Sequence, residues 1–162
     1  MEIADPIWGG KPSARKALLA AGWYEGRRVE SVAWVEMLEA TGFELNDLSW
    51  RVWAEFGDLT IESSEARFPS SSLHVDPVDA CIDALDEASS LKRELGENYS
   101  PLGIWSVQFR SYISESGRAI AVGPRVMWEL GLSFAEALDF VVNGDGGKDR
   151  ARRVDWLNPH SF

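Results

Sequence analysis

Basic side chains are in short supply, and reactive ones are scarcer still. The 162 residues hold sixteen Lys and Arg against twenty-six Asp and Glu, a formal charge of −10. Binding nucleic acid in general needs a basic footprint that neutralises phosphate, so that class is excluded, and so is an anionic membrane surface as partner. One cysteine, Cys81, excludes an intrachain disulfide and a cysteine-based zinc cage. The two histidines, His74 and His160, lie far apart with no metal-ligand spacing. No apolar run reaches the roughly eighteen residues of a membrane helix, and the opening MEIADPIWGGKPSARK lacks an h-region with a cleavage site. A soluble protein of the reducing cytoplasm is therefore expected.

What is present suits one globular domain. Hydrophobic residues make up 45% and charged residues 26%, near the averages of folded domains. Eight Trp supply a large apolar area for a core or an interface.

Residues 1–12 read as an irregular lead with Pro6, Gly9, Gly10 and Pro12. Ser13 is expected to cap a first helix that stops at Gly22. A second helix spans 31–41 with Trp34, Val35 and Leu38 inward, and ends at Gly42. Asn46 caps a third, with Leu48, Val52 and Phe56 at four-residue spacing. Residues 59–62 and 73–75 read as strands around a Ser-rich loop. Asp76-Pro77 signals a helix start, and that helix runs to about Leu95. Its apolar face carries Val78, Cys81, Ile82, Leu85 and Ala88, and its polar face Asp79, Asp83, Asp86 and Glu87. Strands follow at 102–107, 111–114, 119–122 and 126–128, with a hairpin turn at 115–118. Ser133 and Glu136 have capping-box spacing and open a last helix to about Val142. Residues 145–162 form a basic C-terminal tail, flexible or docked. Helices, then strands, with helices at both ends, define an α+β domain over 13–144: a central, mostly antiparallel sheet flanked by helices.

Catalytic patterns are missing. There is no G-x-S-x-G elbow, Walker loop or G-x-G-x-x-G. His74, between Leu73 and Val75, reads as a strand side chain, and Cys81 as a core thiol. Nothing fixes two carboxylates across a cleft. Residues 83–87 sit on a helix, not in a calcium loop, and 144–149 lack the EF-hand pattern.

The charge is unevenly placed. Residues 30–65 hold nine acids and one base, Arg51, and residues 76–98 hold seven acids and two bases. The remaining segments together carry a net +3. Two readings stand: solvated helix faces that maintain solubility, or a docking surface for a cationic partner, captured by electrostatic steering.

Several short features then align in order: Ala21-Gly22-Trp23 with Gly26-Arg27, Phe56-Gly57, His74-Val75-Asp76-Pro77, Tyr99-Ser100-Pro101-Leu102-Gly103, Ser116-Gly117-Arg118, and Leu130-Gly131-Leu132-Ser133 with Ala137-Leu138. Over roughly 15–144 this order resembles the SUKH superfamily (Smi1/Knr4-like), and its SUKH-3 branch in particular. The resemblance implies a non-catalytic immunity protein without cofactor. Such a protein binds a cognate bacterial polymorphic toxin, often a nuclease or deaminase domain, in the cytoplasm. An acidic inhibitor suits the basic groove of a toxin that holds phosphate.

The matched Gly, Trp and Pro positions read as scaffold. Gly57 and Gly117 are candidates for positive φ or tight turns, and Arg27 and Arg118 for ties to carbonyls or carboxylates. The expected partner-binding set is Glu36, Glu39, Glu44, Asp47, Asp58 and Glu62, with Asp79, Asp83 and Asp86 as a second patch. Trp105 and Trp128 are the anchor candidates. One-to-one binding by a monomer is expected. A SUKH-type scaffold or regulatory module, a small-molecule domain with a Trp-lined pocket, and a hydrolase with convergent carboxylates or a His in a cleft are the alternatives.

Overall fold

The computed structural model describes residues 6–78, 84–144 and 149–157. In chain order these form α1 (Pro12–Ala21), α2 (Val32–Thr41), α3 (Asp47–Phe56), β1 (Thr60–Glu62), β2 (Ser72–His74), α4 (Ala84–Leu95), β3 (Tyr99–Trp105), β4 (Phe109–Ser114), β5 (Ala119–Gly123), β6 (Val126–Gly131), α5 (Phe134–Asn143) and β7 (Ala151–Arg153). The seven strands make one antiparallel sheet in the order β1-β2-β3-β4-β5-β6-β7, an α+β fold.

Strand alternation decides which helix covers which face. Phe109 and Arg110 are neighbours on β4 and so point to opposite sides. Arg110 meets Glu87 of α4. Phe109 packs on Trp105 and Trp128, and Trp105 packs on Phe140 of α5. Helix α4 therefore covers one face and α5 the other. Helix α3 shares the α5 side, since Phe56 and Phe134 lie 5.1 Å apart between ring centroids, and α1 packs against α5 and β1. Leu18, Leu38, Trp53, Phe56, Ile61, Leu73, Leu102, Ile113, Ile120 and Phe134 are fully buried. Each such side chain contributes about 1.5–3 kcal/mol of apolar transfer. Trp53 also donates its indole N–H to the Pro101 carbonyl at 3.1 Å, so its one polar atom is satisfied.

Local chemistry explains the helix ends. The Asn46 side chain accepts from the Ser49 amide at 2.8 Å and caps α3. Ser133 Oγ accepts from the Glu136 amide at 3.1 Å, and the Glu136 carboxylate accepts from the Leu132 amide at 2.8 Å. Helix α1 starts two residues earlier than expected: Lys11, not Ser13, is its N-cap and Pro12 its first residue. Proline lacks an amide to satisfy and has its φ preset there, so it takes the first position and Ser13 falls inside.

Other expectations change. Pro77 and Val78 form a turn in which Asp76 Oδ1 accepts from the Val78 amide at 2.9 Å; α4 is described from Ala84, and the expected first turns of that helix at 79–83 fall outside the described residues. Asp79, Cys81, Ile82 and Asp83 lie outside the described residues. Strand β3 ends at Trp105, because Ser106 and Val107 adopt φ of 51° and 72° and turn the chain. Gly57 has φ of −54°, not a positive φ. What requires glycine there is space: a Cβ would lie 2.5 Å from the Trp53 carbonyl oxygen and 2.7 Å from the Trp34 ring. Gly117 does take φ of 100° in the β4–β5 turn. Past residue 148 the chain adds β7 to the sheet, and Val154 and Leu157 are buried. Trp8 is buried edge-on to Trp23, 5.6 Å between centroids. No helix among the described residues is long and apolar enough to cross a membrane.

Candidate partner-binding surface

The two arginines expected to tie turns to the body do so. Arg27 donates to the carbonyls of Glu55 at 2.7 Å and Gly57 at 2.8 Å. Arg118 grips both Glu129 oxygens, at 2.6 and 2.7 Å. A fork of this kind matches carboxylate geometry and locks the β5–β6 pair.

The acidic candidates are exposed at three places. Glu36 and Glu39 are three residues apart on α2, hence on one side of it. Glu44, in the α2–α3 connection, and Asp47, in the first turn of α3, form a second group. Glu44 pairs with Lys92 of α4 at 3.1 Å. The Lys92 hydrogen bond, then its charge, and then Asn98 hold the Glu44 carboxyl below the usual range. Asp86, in the first turn of α4, is exposed as well. Asp58 precedes β1, an edge strand, and Glu62 is its last residue; they form the third. Glu36, Glu39, Asp47, Asp58, Glu62 and Asp86 have no ion pair among the described residues.

The tryptophans stand differently. Trp105 is only 8% exposed, and its indole N–H donates to Ser71 Oγ at 2.9 Å. Its ring is enclosed by Phe109, Trp128 and Phe140, at centroid distances of 5.7, 5.7 and 6.0 Å. It thus belongs to the core between sheet and α5, and its anchor role gives way to a packing one. Trp128 is half-buried in the same cluster, 4.4 Å from Phe109.

One acid expected on the solvent face lies inside. Glu87 is 6% exposed. Arg110 Nε donates to its Oε1 at 2.8 Å, Arg110 Nη2 binds its Oε2, and the Tyr112 hydroxyl donates to Oε1 at 2.6 Å. The spacing held the signal: Glu87 stands one turn before Leu91, which is fully buried. Burial first, and the Glu87 charge second, push the Tyr112 phenol well above its usual range. Burial likewise pushes Tyr99 up to about 12. The Glu87 hydrogen bond raises Arg110, and the Glu129 hydrogen bond raises Arg118. These shifts move the pKa values away from pH 7, whereas a general acid or base works best with a pKa near it. Among the described residues no group of three His, Cys, Asp or Glu is placed to hold a metal.

A cleft of about 430 Å³ lies between residues 42–44 and α4, lined by Phe43, Leu85, Ala88, Tyr99 and the Glu44–Lys92 pair. No Trp lines it, unlike the pocket a small-molecule domain was expected to carry.

Among the described residues of this α+β domain, the buried acid Glu87 is paired, and Glu36, Glu39, Asp47, Asp58, Glu62 and Asp86 are exposed without an ion pair. Residues 11–144 match the family model described as SUKH-3 immunity protein, and the chain belongs to that family. No curated protein and no solved structure matches it.

Proposed function

We propose that the protein is an immunity protein that binds a cognate bacterial toxin domain and neutralises it through its exposed carboxylates. The supporting observation is that Glu36, Glu39, Asp47, Asp58, Glu62 and Asp86 are exposed and, among the described residues, have no ion pair, in a chain of the SUKH-3 immunity family. A free carboxylate keeps its full charge for a cation on a partner. Glu44 joins this surface through its pair with Lys92, and Asp79 and Asp83 extend it by sequence. The partner is a basic, nucleic-acid-acting enzyme such as a nuclease or deaminase, whose phosphate-holding groove the acidic face imitates. The protein acts as a monomer in the cytoplasm, without catalysis and without a cofactor.

Co-expression tests this. A toxin domain encoded beside the gene is expected to co-purify with the chain in one-to-one ratio and to lose its activity in the complex. Free toxin activity in the presence of excess protein contradicts the proposal.

A further inference from the structure

Two large apolar side chains stand almost wholly in solvent at one end of the sheet: Phe68 is 96% exposed and Val107 86%. Scattered exposed apolar residues need no explanation, but these two stand on turns joined by hydrogen bonds and ring contacts. The loop bearing Phe68 is clamped by Arg67. The Arg67 guanidinium donates from Nε to the Phe140 carbonyl at 2.9 Å, binds the Pro69 carbonyl, and lies 4.9 Å over the Phe140 ring. Phe140 packs on Trp105, the last residue of β3. The next residue, Ser106, donates its amide to the Ser72 carbonyl at 2.8 Å, joining the Val107 turn to the base of the same loop. Phe68 and Val107 thus project from two connected, held turns.

Val107 is also in the wrong conformation for its type. Its φ of 72° is left-handed, where a β-branched side chain is strained and Gly or Asn is not. The turn tolerates that strain to present an isopropyl group to water. Strain of this kind concentrates at functional positions. Glu65 in the same loop and Glu62 at the end of β1 that enters it are exposed and have no ion pair among the described residues, while the Arg67 guanidinium bonds the Phe140 carbonyl.

We propose that Phe68 and Val107 are the apolar anchors of the toxin interface, seated in an apolar socket of the toxin whose rim carries Lys or Arg facing Glu62 and Glu65. An aromatic anchor within a charged rim is the arrangement that concentrates binding energy, and the acidic rim selects a cationic partner. The inference rests on the immunity reading and adds the site within it.

The test measures affinity for the toxin domain encoded beside the gene, inactivated at its own active site. Phe68→Ser and Val107→Asn are each expected to weaken binding about thirtyfold or more, with unchanged or higher melting temperature, since Asn accepts a left-handed φ. Unaltered affinity in both variants overturns the anchor assignment alone. No binding by the unmodified chain overturns the immunity reading and this inference with it. Sedimentation of the chain by itself supplies the other arm: a dimer that Phe68→Ser dissolves assigns the patch to a second copy and overturns the toxin anchor.

Discussion

The Tyr112 hydroxyl donates a 2.6 Å hydrogen bond to the Glu87 carboxylate, where both side chains are buried beneath α4. Arg110 holds the same carboxylate from β4, so one buried acid joins the helix to two strand side chains. Removing Glu87 leaves Arg110 charged and only partly hydrated. Glu87→Ala is expected to destabilise by about 3 kcal/mol, whereas Tyr112→Phe, which removes one bond to a charged acceptor, costs about 1.5 kcal/mol. Urea denaturation checks the ranking. Equal stability of Glu87→Ala and the unmodified chain would show that the network is dispensable.

The two buried phenols set an alkaline limit. Their folded-state pKa values lie above the unfolded value, Tyr99 at about 12 and Tyr112 higher than its usual range. The folded state therefore keeps protons that the unfolded state gives up. Stability is complete below pH about 10 and is lost as pH rises from there, by up to about 1.4 kcal/mol per unit for each phenol. Denaturation midpoints at pH 9 and 11 test this. Tyr99→Phe should flatten part of the slope, and a midpoint indifferent to pH rejects it.

Two glycines should fail for different reasons. Gly57→Ala places a Cβ against the Trp53 carbonyl and Trp34 ring, an overpacking expected to cost about 2 kcal/mol. In Gly117→Ala the added Cβ is 3.4 Å from Leu48, ordinary contact, and the cost of about 1 kcal/mol comes from its positive φ. Gly117→Asn should therefore recover stability, while Gly57→Asn should not. Thermal melting of the four variants separates the two causes.

The carboxylate surface is separable from the fold. Glu36→Lys, Glu39→Lys and Asp58→Lys together alter exposed side chains that have no ion pair among the described residues, so melting should stay within a few degrees. Toxin affinity should drop at least tenfold, mostly through slower association. Calorimetric titration checks it, and unchanged affinity moves the interface off α2 and β1.

Much of the architecture was legible from residue patterns. Asn46 and Ser133 announced their helices because their side chains cap orphan amides by local geometry alone, and the turn at 115–118 announced its hairpin. What escaped depends on distant contacts. Glu87 reads as a surface acid until β4 supplies Arg110 and Tyr112. Trp105 could face either way until pairing with Phe109 placed it beneath α5. Strand β7, with sequence ARR, has no apolar alternation and exists through its pairing with β6. The acidic set was visible as composition, yet its division among α2, the α3–α4 corner and β1 follows from topology. Phe68 gave no signal, since exposure is decided by what the rest of the fold leaves uncovered.

The central claim is capture of a basic toxin by free carboxylates. Its most direct test is the association rate of the purified chain with the inactivated toxin domain as salt is raised from about 20 to about 150 mM, over which the screening length falls severalfold. Steering by the acidic face predicts a fall of about tenfold or more in the association rate, with a much smaller change in dissociation. A rate that stays flat across that range contradicts it.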